Sequence, residues 1–242
     1  EVAPARPRLV ITRRLPEPVE ARAQRDYDAA LNVDDTPFGP ADWSARTAGA
    51  DAILCVASDR VDRAAIDALP PGVRAIATFS VGYNHVDLDA AAARGIAVTN
   101  TPDVLTDATA DVAMLLLLGA ARRAGEGEAL MRARAWTGWT PTQLLGTHLG
   151  GKRLGILGLG RIGGAVAKRA IAFGMEVHYL SAREKAVPGV PLVRHATEET
   201  FWPACQFHSI HVPLAPATRG LLDARPNARL PRRAIGVNTA RG

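Results

Sequence analysis

The sequence predicts an α/β protein made of two successive units, each a parallel sheet covered by helices. Three patterns point there. Short apolar runs alternate with helical stretches over the first hundred residues. Asn100-Thr-Pro102 then breaks the series, and a second strand–turn–helix series opens near residue 153. Such alternation marks βαβ units, because parallel strands need a crossover between them. The units are placed at residues 1–100 and 101–242.

In the first unit, strands are expected at Leu9–Thr12, Ala29–Val33, Ala52–Val56, Val73–Phe79 and Ile96–Thr99. Helices are expected between them, at Pro18–Arg25, Pro40–Ala48, Asp62–Leu69 and Asp87–Arg94. A long helix should follow over Thr106–Arg123, capped by Thr106 or Asp107 and ended by Gly125 and Gly127. Its Leu-rich side, Met114 to Leu118, should be buried between layers. A connection with Trp136, Trp139 and Pro141 leads on to strands at Leu154–Leu157, Glu176–Leu180, Gln206–Val212 and Ala234–Asn238, with a helix over Ala165–Phe173.

The stretch Arg153-Leu-Gly-Ile-Leu-Gly158-Leu-Gly160-Arg-Ile-Gly163-Gly164 carries the most chemistry. Gly158, Gly160 and Gly163 have the spacing of a dinucleotide-binding turn. The first turns the strand sharply, the second lets a pyrophosphate approach the backbone, and the third lets helix and strand pack closely. The phosphates would meet the positive end of the following helix. A nicotinamide dinucleotide is the expected cofactor, and two Rossmann-like or flavodoxin-like domains the expected fold.

The end of the next strand bears on which cofactor. Rossmann units that take NAD place a carboxylate there for the ribose 2′-OH. Here Val177-His-Tyr-Leu180 runs into Ser181-Ala-Arg183-Glu-Lys185. A hydroxyl and cations suit a 2′-phosphate, which a carboxylate would repel. NADP is therefore favoured, with NAD possible if Glu184 serves the ribose instead.

Bulk properties narrow the class. The 242 residues are 48% hydrophobic, enough for sizeable cores. The longest apolar run, Val112–Ala121, is about half the length of a membrane span, and the opening Glu1-Val-Ala-Pro shows no basic-then-apolar pattern, so a signal peptide is not expected within these residues. Net charge is +5, and only three of the 29 basic residues are Lys. The arginines are scattered among acids and aromatics are only 5% of residues, so nucleic acid is not an expected partner. A basic surface steering small anions fits better. Cys55 and Cys205 are expected as buried thiols in a reducing cytoplasm. No metal site is expected.

Further stretches lie in order around the glycine turn: Phe79-Ser-Val81-Gly82-Tyr-Asn-His-Val-Asp87, Gly95 through Asp111, His211-Val-Pro213-Leu and Val237-Asn-Thr-Ala-Arg241-Gly242. Together they closely resemble the D-isomer-specific 2-hydroxyacid dehydrogenases, and most of all the glyoxylate/hydroxypyruvate reductase branch. The resemblance runs over nearly the whole chain from about residue 50. It implies that Val81 and Gly82 offer N–H groups to a substrate carboxylate. Arg241 is implied as the catalytic arginine, holding the carboxylate and polarising the 2-oxo group. Leu159, Gly160, Arg161 and Ile162 match the pyrophosphate turn, and Ser181, Ala182 and Arg183 the ribose discriminator. His211, Val212 and Pro213 match the loop under the cofactor. Thr239 and Ala240 match the strand end beside the nicotinamide, and Thr109 is a further cofactor contact. A homodimer through the cofactor domain is also implied, with the long helix and the Trp136/Trp139 segment as its surface.

An arginine is a poor proton donor at neutral pH. The family uses a His held by a Glu, and both lie downstream of the catalytic arginine. This chain stops at Gly242, so the cofactor domain is expected to be truncated and the 242 residues alone nearly inactive. His85, beside the carboxylate loop, is the one histidine here considered as a replacement. A dinucleotide-sensing module and a catalytically incomplete fragment of the same family are the competing readings.

Overall fold

The computed structural model describes residues 5–221 and 228–240. The chain divides into two compact units, Glu1–Val104 and Leu105–Gly242.

The first unit holds five strands: β1 (Arg8–Ile11), β2 (Asp28–Ala30), β3 (Ala52–Val56), β4 (Ala75–Phe79) and β5 (Ala97–Thr99). They form one parallel sheet in the order 2-1-3-4-5, which is flavodoxin-like. The helices α1 (Glu17–Asp26), α2 (Asp42–Ala45), α3 (Arg63–Ala68) and α4 (Leu88–Ala93) supply the crossovers. Successive side chains on a strand face opposite ways, so one sheet feeds two cores. Val10, Ile53, Cys55 and Ile76 enter one core with Val61, Ile66 and Val86. Leu9 and Ile11 enter the other with Leu15 and Ala23. Asp62 and Asp87 cap α3 and α4 by accepting from Ala65 and Ala90 N–H at 3.0 and 2.8 Å.

The second unit opens with α5 (Thr106–Ala121) and α6 (Ala124–Arg132). Its sheet holds β6 (Arg153–Leu157), β7 (Glu176–Leu180), β8 (Leu192–His195), β9 (Phe207–Ile210) and β10 (Ile235–Asn238). The order is β10-β9-β6-β7-β8, all parallel. Counted from β6 this is 3-2-1-4-5, the Rossmann order, with its reversal between β6 and β9. Leu154, Ile156, Val177 and Tyr179 pack with Val166, Ala167 and Ala170 of α7 (Arg161–Ala172) and with Met114 and Leu117 of α5. Leu157 and Ile210 face the other way, onto Phe201 of α8 (Glu198–Phe201) and Trp202. Gly155 makes that contact possible, because a Cβ there would lie 2.9 Å from the Phe201 ring. Arg169 of α7 bonds Asp107 and Asp111 of α5 at 3.1 and 2.7 Å, joining the two helices.

Several expectations need correction. Gly125 and Gly127 do not end the long helix: both lie inside α6. The break falls at Arg123, whose φ is 55°, and its guanidinium grips Glu126 at 2.8 Å across the first turn of α6. Neither Thr106 nor Asp107 caps α5. Leu105 holds the cap position, and Asp107 turns to Arg169 instead. The Leu-rich side is split, with Leu117 buried and Leu115 66% exposed. The helix expected over Pro40–Ala48 shrinks to α2. β8 was not expected: its middle pair, Val193 and Arg194, is exposed at a sheet edge and gives no apolar pattern. Cys55 and Cys205 are free and buried, and burial pushes both thiols up to about 12.

Candidate active site

The strand-order reversal places the C-terminal ends of β6 and β9 side by side. Gly158 leaves β6 with φ 89°, and a Cβ there would meet His211 O and Val212 Cγ1 at 2.8 Å. The chain can turn here only as glycine. Gly163 sits on the first turn of α7, where a Cβ would collide with the Gly158 carbonyl oxygen and approach Ile156 Cγ2 at 3.1 Å. Gly160 differs. It holds the N-cap position of α7, is exposed, and a Cβ there would meet no described atom within 4 Å. So two glycines serve packing and the middle one faces open space, as a close-approaching pyrophosphate requires. These residues fit a dinucleotide.

Leu159 is buried in the core, so it can serve a ligand only through its backbone, and the half-buried Ile162 packs against that core. Arg161 is the first residue of α7 and is exposed. Gly164 N–H donates to Gly160 O at 2.8 Å and starts the helix.

At the end of β7, Ser181 is half-buried, and Ala182 and Arg183 are exposed. The buried Tyr179 hydroxyl donates to Lys185 O and accepts from Lys185 N–H, each at 3.1 Å. It closes the turn that carries Ser181 and Arg183. Sequence reading missed Tyr179, since a buried tyrosine on a strand resembles ordinary core.

On the other side of the reversal, His211 N–H donates to Leu157 O at 2.8 Å. Its Nε2 lies 2.7 Å from Ser209 Oγ and its Nδ1 3.4 Å from Thr239 Oγ1. Burial pushes the ring down to about 4, so it is neutral at physiological pH. Pro213 is exposed, and its carbonyl accepts from Thr218 Oγ1 at 2.5 Å. Thr239 and Thr109 line one cavity of about 390 Å³ with Ala108, Val112, Leu116 and Asn238. Ala240 N–H donates to Asn238 Oδ1 at 2.9 Å, shaping the strand end. Arg241 lies outside the described residues.

In the first unit, Val81 and Gly82 form the turn after β4. The Val81 carbonyl accepts from Asn100 Nδ2 at 2.8 Å, and the Gly82 carbonyl from Ser80 Oγ at 2.6 Å. His85 Nε2 lies 2.9 Å from Thr78 Oγ1, which lies 2.7 Å from Ser80 Oγ. Sequence reading singled out His85 but not Thr78, Ser80 or Asn100.

Comparison with known proteins bears on the family and the fold. The family described as D-isomer specific 2-hydroxyacid dehydrogenase, NAD binding domain, matches residues 114–242. Glycerate dehydrogenase of Hyphomicrobium methylovorum is 41% identical over 238 residues, covering 97% of this chain and 74% of that protein. Glyoxylate reductase of Thermococcus litoralis is 38% identical over 242 residues, 98% of this chain and 73% of that protein. The crystal structure of a glyoxylate reductase from Paecilomyes thermophila superposes with TM-score 0.81 at 29% identity, covering 99% of this chain and 74% of that one. By its sequence over nearly its whole length and by its fold, the chain belongs to the D-isomer-specific 2-hydroxyacid dehydrogenase family, in the branch that contains glyoxylate reductases.

Proposed function

We propose that the protein reduces a short 2-oxo acid, of glyoxylate or hydroxypyruvate size, to the D-2-hydroxy acid, with NADPH as the preferred reductant. The observation that carries the reading is Gly160, an open glycine flanked by two packed ones at the strand-order reversal. The names of the relatives, glyoxylate reductase and glycerate dehydrogenase, supply the substrate class.

When bound, the reduced nicotinamide supplies a hydride to the carbonyl carbon. The residues of this chain bind, orient and stabilise charge, while the proton that the 2-oxo oxygen takes up has to come from a donor other than Arg241. The N–H groups of Val81 and Gly82 hold the substrate carboxylate. Arg241 holds the same carboxylate and draws charge onto the 2-oxo oxygen, which grows negative as the carbonyl is reduced. Arg241 keeps its proton throughout, so it stabilises charge without acting as the acid. The α7 N-terminus and the Gly158–Gly163 backbone hold the diphosphate. Ser181, Ala182 and Arg183 hold the ribose 2′-phosphate, and Arg183 would bond it with charge assistance. Neutral His211, with Val212, Pro213, Thr239, Ala240 and Thr109, shapes the nicotinamide end without adding charge.

Two coarser properties complete the proposal. Trp139 is 78% exposed and Leu115 66%, which suits a homodimer built through the second unit. The two buried free thiols suit a reducing, cytoplasmic setting.

The test is consumption of NADPH by the full-length protein with glyoxylate or hydroxypyruvate, followed by its near-ultraviolet absorbance. Arg241→Ala is expected to abolish turnover while cofactor binding persists. Binding without turnover in the unaltered protein, with every short 2-oxo acid tried, would favour a dinucleotide sensor instead.

A further inference from the structure

We propose that His85 is a positioning residue for the Val81–Gly82 turn, acting through a one-way chain of hydrogen bonds that runs His85 to Thr78 to Ser80 to the Gly82 carbonyl. The inference deepens the proposed function, since it rests on reading that turn as the seat of the substrate carboxylate.

The direction follows from counting protons. A hydroxyl has one proton to donate. Ser80 donates its proton to the Gly82 carbonyl oxygen at 2.6 Å. At the 2.7 Å contact between Ser80 and Thr78, Thr78 must therefore donate. At the 2.9 Å contact between Thr78 and His85, Thr78 can then only accept, so His85 Nε2 carries the proton and donates it. The ring is fixed as the Nε2–H tautomer or as the imidazolium. Each supplies the same donor.

Three consecutive peptide planes are set by such contacts. The Ser80 carbonyl accepts from Thr101 N–H at 3.0 Å, the Val81 carbonyl from Asn100 Nδ2 at 2.8 Å, and the Gly82 carbonyl from Ser80 Oγ. No described peptide bond is cis. In a trans peptide the N–H points opposite to the preceding carbonyl. The N–H groups of Val81, Gly82 and Tyr83 are thus each turned away from the partner that holds the preceding carbonyl. Asn100 and Thr101, just past β5, fix the first two planes. The His85 chain acts on the third.

The anchor of that chain is rigid. Thr78 is buried on β4. The backbone of His85 is held because its carbonyl accepts from Val61 N–H at 2.9 Å, and Asp87 N–H donates back to Val61 O at 2.9 Å. Cys55 of β3 lies 4.0 Å from Nε2, and its thiol stays neutral. Asp59, Arg60, Asp62 and Asp87 line the cavity beside the ring.

The test compares His85→Leu, Thr78→Val and His85→Gln in the full-length protein. The first two cut the chain, and Thr78→Val does so at nearly constant volume. Each is expected to raise KM for glyoxylate by about tenfold, the net effect of one hydrogen bond, with kcat within about threefold and NADPH affinity unchanged. His85→Gln keeps an N–H donor and is expected to restore most of the loss. Nitrogen NMR of the unaltered protein at neutral pH is expected to show His85 protonated at Nε2. Unchanged KM in both cut variants, or an Nδ1–H tautomer, would overturn the proposal. So would a kcat loss of about 10²–10⁴ in His85→Gln, which would make the ring a proton donor to substrate. If the unaltered protein turns over no 2-oxo acid, the proposed function fails by itself, and the tautomer still decides the chain.

Discussion

The Tyr179 hydroxyl holds both backbone polar groups of Lys185, donating to its carbonyl and accepting from its N–H at 3.1 Å each. One buried side chain thus closes the turn on which cofactor choice is proposed to depend. Tyr179→Phe removes both bonds and keeps the ring in the core. Lys185 is exposed, so water can replace the lost partners, and the fold should lose only about 1–2 kcal/mol. The preference for NADPH over NADH should fall several-fold, measured as the ratio of the two kcat/KM values.

The turn itself is tested by Ser181→Asp combined with Arg183→Ala. A carboxylate at 181 would accept from a ribose 2′-OH and repel a 2′-phosphate. The preference should shift toward NADH by more than about tenfold. Unaltered protein that already prefers NADH would show that this turn had been misread.

Gly160→Ala and Gly163→Ala should separate binding from folding. The Gly160 Cβ has open space and a φ of −87° that alanine accepts, so stability should change by less than about 1 kcal/mol. Dinucleotide affinity should nevertheless fall at least about tenfold, because the methyl occupies the approach to the diphosphate. Gly163→Ala drives a methyl into the Gly158 carbonyl and should cost about 1–3 kcal/mol of stability, besides affinity. Urea unfolding and calorimetric titration of the two variants check both halves.

His208 is 2% exposed on β9 against the rings of Phe201 and Trp202, and burial pushes it down to about 4. His211 is pushed to about 4 as well. Between about 6.5 and 4 the unfolded chain binds protons that these rings refuse, so the unfolded state is favoured as pH falls. The stability they contribute is present in full above about 6.5, drops through that window, and levels off below about 4. For His208 the drop should be about 3 kcal/mol. Replacing it by leucine should flatten the urea-midpoint profile over this range relative to the unaltered protein.

The sequence was most legible where one residue type answers one local need. β3 and β7 fall on the expected residues because their apolar runs are flanked by turn signals. Two members of the glycine triplet could be read from local steric need, since the contacts at Gly158 and Gly163 show the demands expected of them, while Gly160 meets no such demand within the described chain. Legibility ended where partners are distant in the chain. Nothing local to Asp107 announces Arg169, so a capping role was the natural expectation. Nothing local to Val81 announces Asn100, and nothing in Tyr179 announces its grip on a turn six residues on. β8 escaped because an edge strand with Arg194 at its centre lacks an apolar signature.

The central claim is that the Gly158–Gly163 backbone wraps the diphosphate of a nicotinamide dinucleotide. Calorimetric titration of the folded protein with NADPH and with NADH tests it most directly. The account predicts saturable heat at one coenzyme per chain, stronger with NADPH and greatly weakened in Gly160→Ala. Absence of heat with both coenzymes, from protein shown to be folded, would contradict it.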